Sequence, residues 1–188
     1  MKTGVILLIV VVLALVLGGC EFVGERNKMV AERESIKGQW SQVDADLQRR
    51  ADLIPNLVET VKGYAKEETT VVQSVANARA ALVGAKSPQE KIDANNQLTG
   101  ALGRLLVVVE NYPNLKANEN FKQLQFELEG TENRILQSRR RYNEAVQKYN
   151  TDLSLFPANI VASISGFQRE DAYFKTEPGA RTVPKVQF

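Results

Sequence analysis

Arg49, Arg50 and Asp52 come nearest in this chain to a recognition site: adjacent guanidinium groups, a carboxylate two positions on, and Asp44 and Asp46 before them. Guanidinium groups hold carboxylates and phosphates through paired N–H donors, so such a cluster would suit an anionic site or a protein partner. On a helix the same residues have a plainer use. Asp46 and Arg50 stand four apart in the favourable order and Asp44 is near Gln48, which is the spacing of ion pairs along one helix face. Face pairing is therefore the first expectation, with partner binding through Arg49, Arg50 and Asp52 as the alternative, favoured if an arginine is partly buried.

The remaining charged clusters are weaker. Arg139-Arg140-Arg141 resembles a phosphate-binding run, but three consecutive helical residues spread over roughly 200° of the helix surface. Glu127, Glu129, Glu132 and Glu144 lie close by and offset them. The carboxylates Glu127, Glu129 and Glu132 lack the spacing of a calcium loop despite Gly130 among them, because the flanking pattern is helical. Glu67 and Glu68 have no partner carboxylate or motif and read as surface charge. Histidine is absent and Cys20 is the single cysteine. That removes Cys/His zinc sites, His-assisted nucleophiles and the Glu-x-x-His di-iron site. No catalytic residue, metal ligand, cofactor or small-molecule substrate is expected, and the chain is not read as an enzyme. The net charge of +2, from 24 basic and 22 acidic residues, supplies no field to recruit nucleic acid.

These residues need elements to carry them, and the composition points to helices. Hydrophobic residues make up 44% of the chain but aromatics only 7%, which suits helices packed through aliphatic side chains. Apolar positions step by three and four through Trp40, Val43, Leu47, Ala51, Ile54, Val58, Val61 and Ala65, then Val72, Val75, Ala78 or Arg79, and Leu82. That period predicts an amphipathic helix with a narrow seam, as in a bundle or coiled coil. One helix over 25–83 would be on the order of 90 Å long, kinked near 51–54 by Pro55. Ser87 as N-cap, Pro88 at the first helical position and Glu90 in the first turn open a second helix over 88–110. A third begins between 114 and 120 and carries Phe121, Leu124, Leu128, Ile135, Tyr142, Tyr149 and Leu153. Pro157 opens a short fourth helix that Gly166 stops. From about 167 an extended tail is expected to dock Phe167, Tyr173 and Phe174 on the bundle. The fold class is all-α, an antiparallel long-helix bundle of three long helices plus a short fourth, with an N-terminal membrane anchor and an extended C-terminal tail.

The anchor occupies 1–20. Lys2 precedes an unbroken apolar run from Val5 to Leu17, followed by Gly18-Gly19-Cys20 and Glu21. A positive start, an apolar stretch and a small-residue exit describe an export signal, and the run is short against the roughly 17 to 20 residues of a span. Leu17-Gly18-Gly19-Cys20 also resembles a bacterial lipobox, which would make Cys20 a lipidated N-terminus. A retained single span is the other reading. Either one ties residues 21–188 to a membrane, and Lys2 on the cytoplasmic side would place them outside the cytoplasm.

Trp40-Ser41-Gln42-Val43-Asp44, the run from Gln48 to Val58 and Val61-Lys62-Gly63-Tyr64-Ala65 closely resemble the LemA family. So do Ala76-Asn77-Ala78-Arg79, Tyr112-Pro113-Asn114-Leu115, Asn118-Glu119-Asn120-Phe121, Asn133-Arg134-Ile135, Arg140-Arg141-Tyr142-Asn143, Phe156-Pro157 and Val183-Pro184-Lys185-Val186-Gln187-Phe188. The resemblance runs in order over essentially the whole chain. It implies a bacterial protein, anchored in the membrane at its N-terminus, whose remainder is an antiparallel bundle of long helices. It brings no catalytic residues with it. The functional expectation is a non-enzymatic scaffold or protein-interaction bundle of the cell envelope, self-associating through its long first helix. The alternative is a sensor or adaptor that binds a membrane partner through Arg49, Arg50 and Asp52.

Overall fold

The computed structural model describes residues 2–65 and 67–174. Over these residues the chain is helical without a strand. The elements are α1 (Lys2–Tyr64), α2 (Thr69–Gly84), α3 (Pro88–Val109), α4 (Pro113–Ala117), α5 (Glu119–Asp152) and α6 (Ala158–Ser165). The chain divides into two compact units. Among the described residues one holds Trp40–Asn143 with 172–174, the other 2–39 with Glu144–Asp171.

The single helix expected over 25–83 is not formed. In its place α1 begins at Lys2 and α2 is a separate helix, the two joined by a turn in which the Ala65 N–H closes on the Val61 carbonyl at 2.8 Å and the Glu68 N–H on the Ala65 carbonyl at 3.2 Å. Arg79 of α2 donates to the Ala51 carbonyl of α1, so α2 returns antiparallel to it. Energetics explain the reversal. Val72, Val75, Ala78 and Leu82 are all buried, and each Val or Leu so covered is worth about 1.5–3 kcal/mol. The hydrogen bonds opened at a turn cost about 1 kcal/mol each. A straight helix would have left that stripe in water.

In the Trp40–Asn143 unit, four cross-helix contacts set the remaining directions. Asp44 and Arg50 meet Lys91 and Asn95, so α3 runs parallel to α1. Asp46 and Arg50 meet Ser138 and Glu132, so α5 runs antiparallel. The result is an up-down-up-down bundle of α1, α2, α3 and α5. Its core includes Val43, Leu47, Ile54 and Val61 with Leu98, Leu105, Phe121 and Ile135. The start of α3 is as expected: the Ser87 hydroxyl accepts from the Glu90 N–H at 3.2 Å, and the Glu90 carboxylate accepts from Lys86 and Ser87 at 2.8 and 3.3 Å. This is a reciprocal capping box with Pro88 at the first position.

In the other unit Met29 and Ile36 of α1, Val146 and Tyr149 of α5, Leu153 in the turn just after it, and Ala158, Val161 and Ala162 of α6 are buried. Lys28 pairs with Asp152 at 2.9 Å, and Lys148 bridges Glu32 and Asp152. Gly166 ends α6 at φ 73°, the left-handed conformation that a residue with a Cβ avoids, and the Phe167 N–H closes back on the Ala162 carbonyl at 3.0 Å. The tail expectation holds at Phe174, which is buried. Residues 175–188, with the closing Val183 to Phe188 segment, lie outside the described residues.

Candidate functional site

Arg50 is, with Asp46, one of the two charged residues that α1 buries in this unit. It falls three positions after Leu47 and four before Ile54, on the face that also carries Val43 and Val61, and is only 5% exposed. Its Nη1 donates to Asn95 Oδ1 at 2.8 Å and to Thr99 Oγ1 at 3.1 Å, both on α3. The same nitrogen lies 2.8 Å from Glu132 Oε2 on α5. That last contact is a charge pairing outside the hydrogen-bond direction, since the carboxylate oxygen counts no aligned donor. One guanidinium thus ties three helices together. Burial pushes the arginine below its ordinary value, Glu132 opposes that shift, and Arg139 adds to it; a guanidinium stays charged at neutral pH. Its Nε and the Asn95 Nδ2 are buried without a hydrogen-bond partner among the described residues.

Beside this crosslink lies a cavity of about 310 Å³, walled by Leu57, Leu102, Leu106 and Leu128, with Arg50 and Glu129 on its border. Its walls are mainly apolar, and Glu132, which also lines it, is the carboxylate that faces Arg50. The described residues contain no group of three His, Cys, Asp or Glu side chains able to hold a metal.

The other residues singled out in the sequence separate from one another. Arg49 and Asp52 are exposed and Arg50 is buried, so the three do not share a surface. The Gln48 amide donates to Asp52 at 2.8 Å. The anticipated pairings of Asp46 with Arg50 and of Asp44 with Gln48 give way to contacts across the bundle. Asp46 is buried and accepts from the Ser138 hydroxyl at 2.9 Å, while Asp44 pairs with Lys91. Among the glutamates, Glu127 and Glu129 accept from Gln123 and Gln125 one turn earlier, and Glu68 from the Tyr112 hydroxyl at 3.2 Å. Cys20 is a free, exposed thiol on α1.

A second construction joins the returning chain to α5. Trp40, Tyr142 and Phe174 form an aromatic cluster with ring centroids 5.2 to 6.2 Å apart. The Arg139 guanidinium stands 4.6 Å above the Phe174 ring, a cation–π contact. Asn143 clamps the Phe174 backbone on both sides, its amide donating to the carbonyl at 2.8 Å and its oxygen accepting the N–H at 3.1 Å. In the other unit Asn150 does the same to Glu170, at 2.7 and 2.9 Å. Sequence reasoning missed both clamps, although a signal was present: the dipeptide Tyr-Asn at 142–143 recurs at 149–150, and an asparagine twice on one helix offers the backbone a donor and an acceptor together.

The structure therefore defines an all-helical bundle, crosslinked by buried polar contacts, with an apolar helix at its N-terminus that points to membrane association. Residues 39–188 match the LemA family model. The chain belongs to the LemA family. It is 28% identical over 182 residues to the magnetosome proteins MamQ 1 and MamQ 2 of Paramagnetospirillum magneticum, covering 83% of this chain and 66% of each relative. To protein LemA of Metamycoplasma hominis it is 26% identical over 145 residues, covering 75% of this chain and 65% of that one. The chain spans just under two thirds of the length of these relatives.

Proposed function

We propose that this chain is a non-enzymatic, membrane-anchored protein of the bacterial cell envelope that serves as a scaffold or protein-interaction bundle. The observation that carries the reading is the N-terminal part of α1. Its most apolar 18-residue window has a mean hydropathy of 2.9 and none of it is buried within the protein. Large apolar side chains from Ile6 to Leu17 are more than half exposed almost throughout, which is stable only in an apolar surrounding. The relatives are named for the magnetosome or for the LemA family, and their names specify no reaction. Glu132, the carboxylate nearest the cavity's arginine, is committed to a structural pairing. Residues 1–20 form the anchor in this reading, with 21–188 outside the cytoplasm, and the anchor is either the retained span or a lipid on Cys20.

The stripe of α2, Val72, Val75, Ala78 and Leu82, is buried within the chain itself and is not left for a second copy. What supports a protein partner now is the outer surface of the bundle, where Val107 and Phe126 are more than 70% exposed. Alkaline extraction of membranes from cells expressing the full chain, followed by protease treatment of intact spheroplasts, tests the reading. The expected result is retention in the membrane and digestion from outside; a soluble chain, or one shielded from protease, overturns it. Intact mass separates the two anchors, since lipidation removes residues 1–19 and adds a diacylglycerol.

A second reading, an adaptor for a membrane partner, is favoured at one place by Arg49 and Asp52, which stand one turn apart and exposed on α1. Crosslinking in cells with Arg49→Glu and Asp52→Lys tests it. Unchanged partner recovery removes that surface.

A further inference from the structure

The cavity beside Arg50 is polar at one end and mainly apolar at the other. Its walls belong to the Trp40–Asn143 unit alone. Arg50 meets Thr99 of α3 and Glu132 of α5 at one level of the bundle. Two turns on along α1 and α3, and two turns back along antiparallel α5, stand Leu57, Leu106 and Gln125, which line it as well. Two helical turns measure about 10 Å, so the cavity runs about that far along the bundle. Gly103 of α3 borders it too, and a Cβ added there would meet no atom within 4 Å. At about 310 Å³ it falls at the lower end of ligand pockets, about 300–1,000 Å³, and is about twice the size of a cavity that takes up benzene.

The polar end has unmade hydrogen bonds of both kinds. Arg50 is more than nine-tenths buried, yet its Nε and Nη2 donate to no acceptor among the described residues. Glu132 faces Arg50 through Oε2, and that buried oxygen accepts from no donor among them. The neighbouring polar groups are engaged elsewhere. The Thr99 hydroxyl accepts from Arg50 and donates to the Asn95 carbonyl at 3.0 Å, and the Gln125 amide donates to Glu129 at 3.2 Å. A buried donor and a buried acceptor left unmade both count against the fold, and each is answered by a partner that enters the site. Because the charges of Arg50 and Glu132 cancel, an ionic ligand would bring an unbalanced charge into an apolar space. Glu129 on the border disfavours an anion further. A hydroxyl carries no charge and both accepts and donates. At the other end the leucine walls gain by covering hydrocarbon.

We propose that this cavity binds a small uncharged amphiphile, a hydrocarbon body about twice the size of benzene that ends in a hydroxyl group. The hydroxyl sits between Arg50 and Glu132, accepting from the guanidinium and donating to the carboxylate, and the hydrocarbon lies along Leu57, Leu102, Leu106 and Leu128. Binding there completes the crosslink of α1, α3 and α5 from inside. The site lies within the Trp40–Asn143 unit and does not depend on how the N-terminal segment is anchored.

The test uses the full chain in deuterated detergent with isotope-labelled leucine methyls, titrated with nonanol and followed by nuclear magnetic resonance. The methyls of Leu57, Leu102, Leu106 and Leu128 are expected to shift together and saturate, while those of Leu136, exposed on α5, stay in place. Gly103→Leu fills the cavity from an exposed position where leucine favours the helix over glycine. It is expected to weaken nonanol binding about tenfold or more with helix content kept, as circular dichroism verifies. Glu132→Gln leaves the Arg50 charge unbalanced and is expected to move preference from nonanol toward nonanoate. The ratio of the two affinities should change about tenfold or more, and detergent partitioning of each ligand cancels when variant and parent are compared. Shifts that fail to saturate, that appear equally at Leu136, or that persist in Gly103→Leu overturn the site. Shifts that follow protein concentration instead of nonanol assign the cavity to a second copy and overturn it too. An unchanged ratio in Glu132→Gln overturns the placement of the hydroxyl.

Discussion

The Nε–H of Arg79 donates to the carbonyl of Ala51 at 2.8 Å, and Ala51 is the residue whose carbonyl the ring of Pro55 leaves without a donor. In an unbroken α-helix the carbonyl of residue 51 accepts the N–H of residue 55; proline has none. An arginine from the returning helix α2 replaces it from outside. The same bond that satisfies α1 at its weakest point also holds the hairpin partner in register, so a local defect becomes a tertiary contact.

Arg79→Met is expected to destabilise the bundle by about 1–2 kcal/mol, the cost of leaving a part-buried carbonyl unpaired. In a Pro55→Ala background, where residue 55 regains its N–H, the same substitution is expected to cost markedly less. Urea unfolding of the four species gives the coupling directly. Equal costs in both backgrounds would show that Arg79 does not serve the vacancy left by Pro55.

Adjacent arginines with opposite environments provide the next contrast. Arg50→Ala removes a crosslink to Asn95, Thr99 and Glu132 and is expected to cost about 2–3 kcal/mol, at the lower end for a broken buried pair because Glu132 is partly solvated. Arg49→Ala, at an exposed position, is expected to stay within about 0.5 kcal/mol of the parent. Similar losses for the two, measured by the same unfolding transition, would contradict the inward placement of Arg50.

Trp40 offers an optical view of the returning chain. Asn143→Ala removes both hydrogen bonds on the Phe174 backbone and is expected to release the ring that stacks on Trp40 at 6.2 Å. The emission of Trp40 should shift to the red and become more sensitive to acrylamide, with little change in helix content. An unaltered spectrum would mean that the aromatic contacts hold Phe174 without the clamp.

Local chemistry was readable where one short stretch determines the outcome. Ser87, Pro88 and Glu90 announced the start of α3, and Gly166 the end of α6, because caps and left-handed stops depend on neighbouring residues alone. The boundary between α1 and α2 was not readable, because Ala65 and Val72 keep the apolar period in phase across the turn; periodicity reports which face is buried and is silent on what buries it. The same limit governed the charges. Asp46 and Arg50 have the spacing of a face pair, yet that spacing cannot weigh a neighbour from another helix, and Ser138 and Glu132 took their places. Arg79, an ambiguous member of the stripe, needed the position of Ala51 to be understood.

The acidic limb of stability should show two carboxylates working against each other at the join of α1 and α5. Lys28 first, then Glu32 and Lys148, hold the Asp152 carboxyl below its ordinary 3.8. Burial raises Glu32 above its ordinary 4.5, against the pull of Lys148. A depressed acid stabilises the fold above its unfolded value and loses that contribution as pH falls through the folded one. A raised acid does the reverse, favouring the fold below its unfolded value and losing that gain as pH rises. Asp152→Asn is therefore expected to lower stability at pH 7, by about 0.5–1 kcal/mol because its partner Lys28 is half exposed and screened. The deficit should shrink as pH falls below the ordinary aspartate range. Glu32→Gln is expected to change in the opposite sense, comparing best with the parent near neutral pH and worst in acid. Melting temperatures of the parent and both variants from pH 7 down to acid check this, and curves that stay parallel throughout would show that neither carboxylate is coupled to folding.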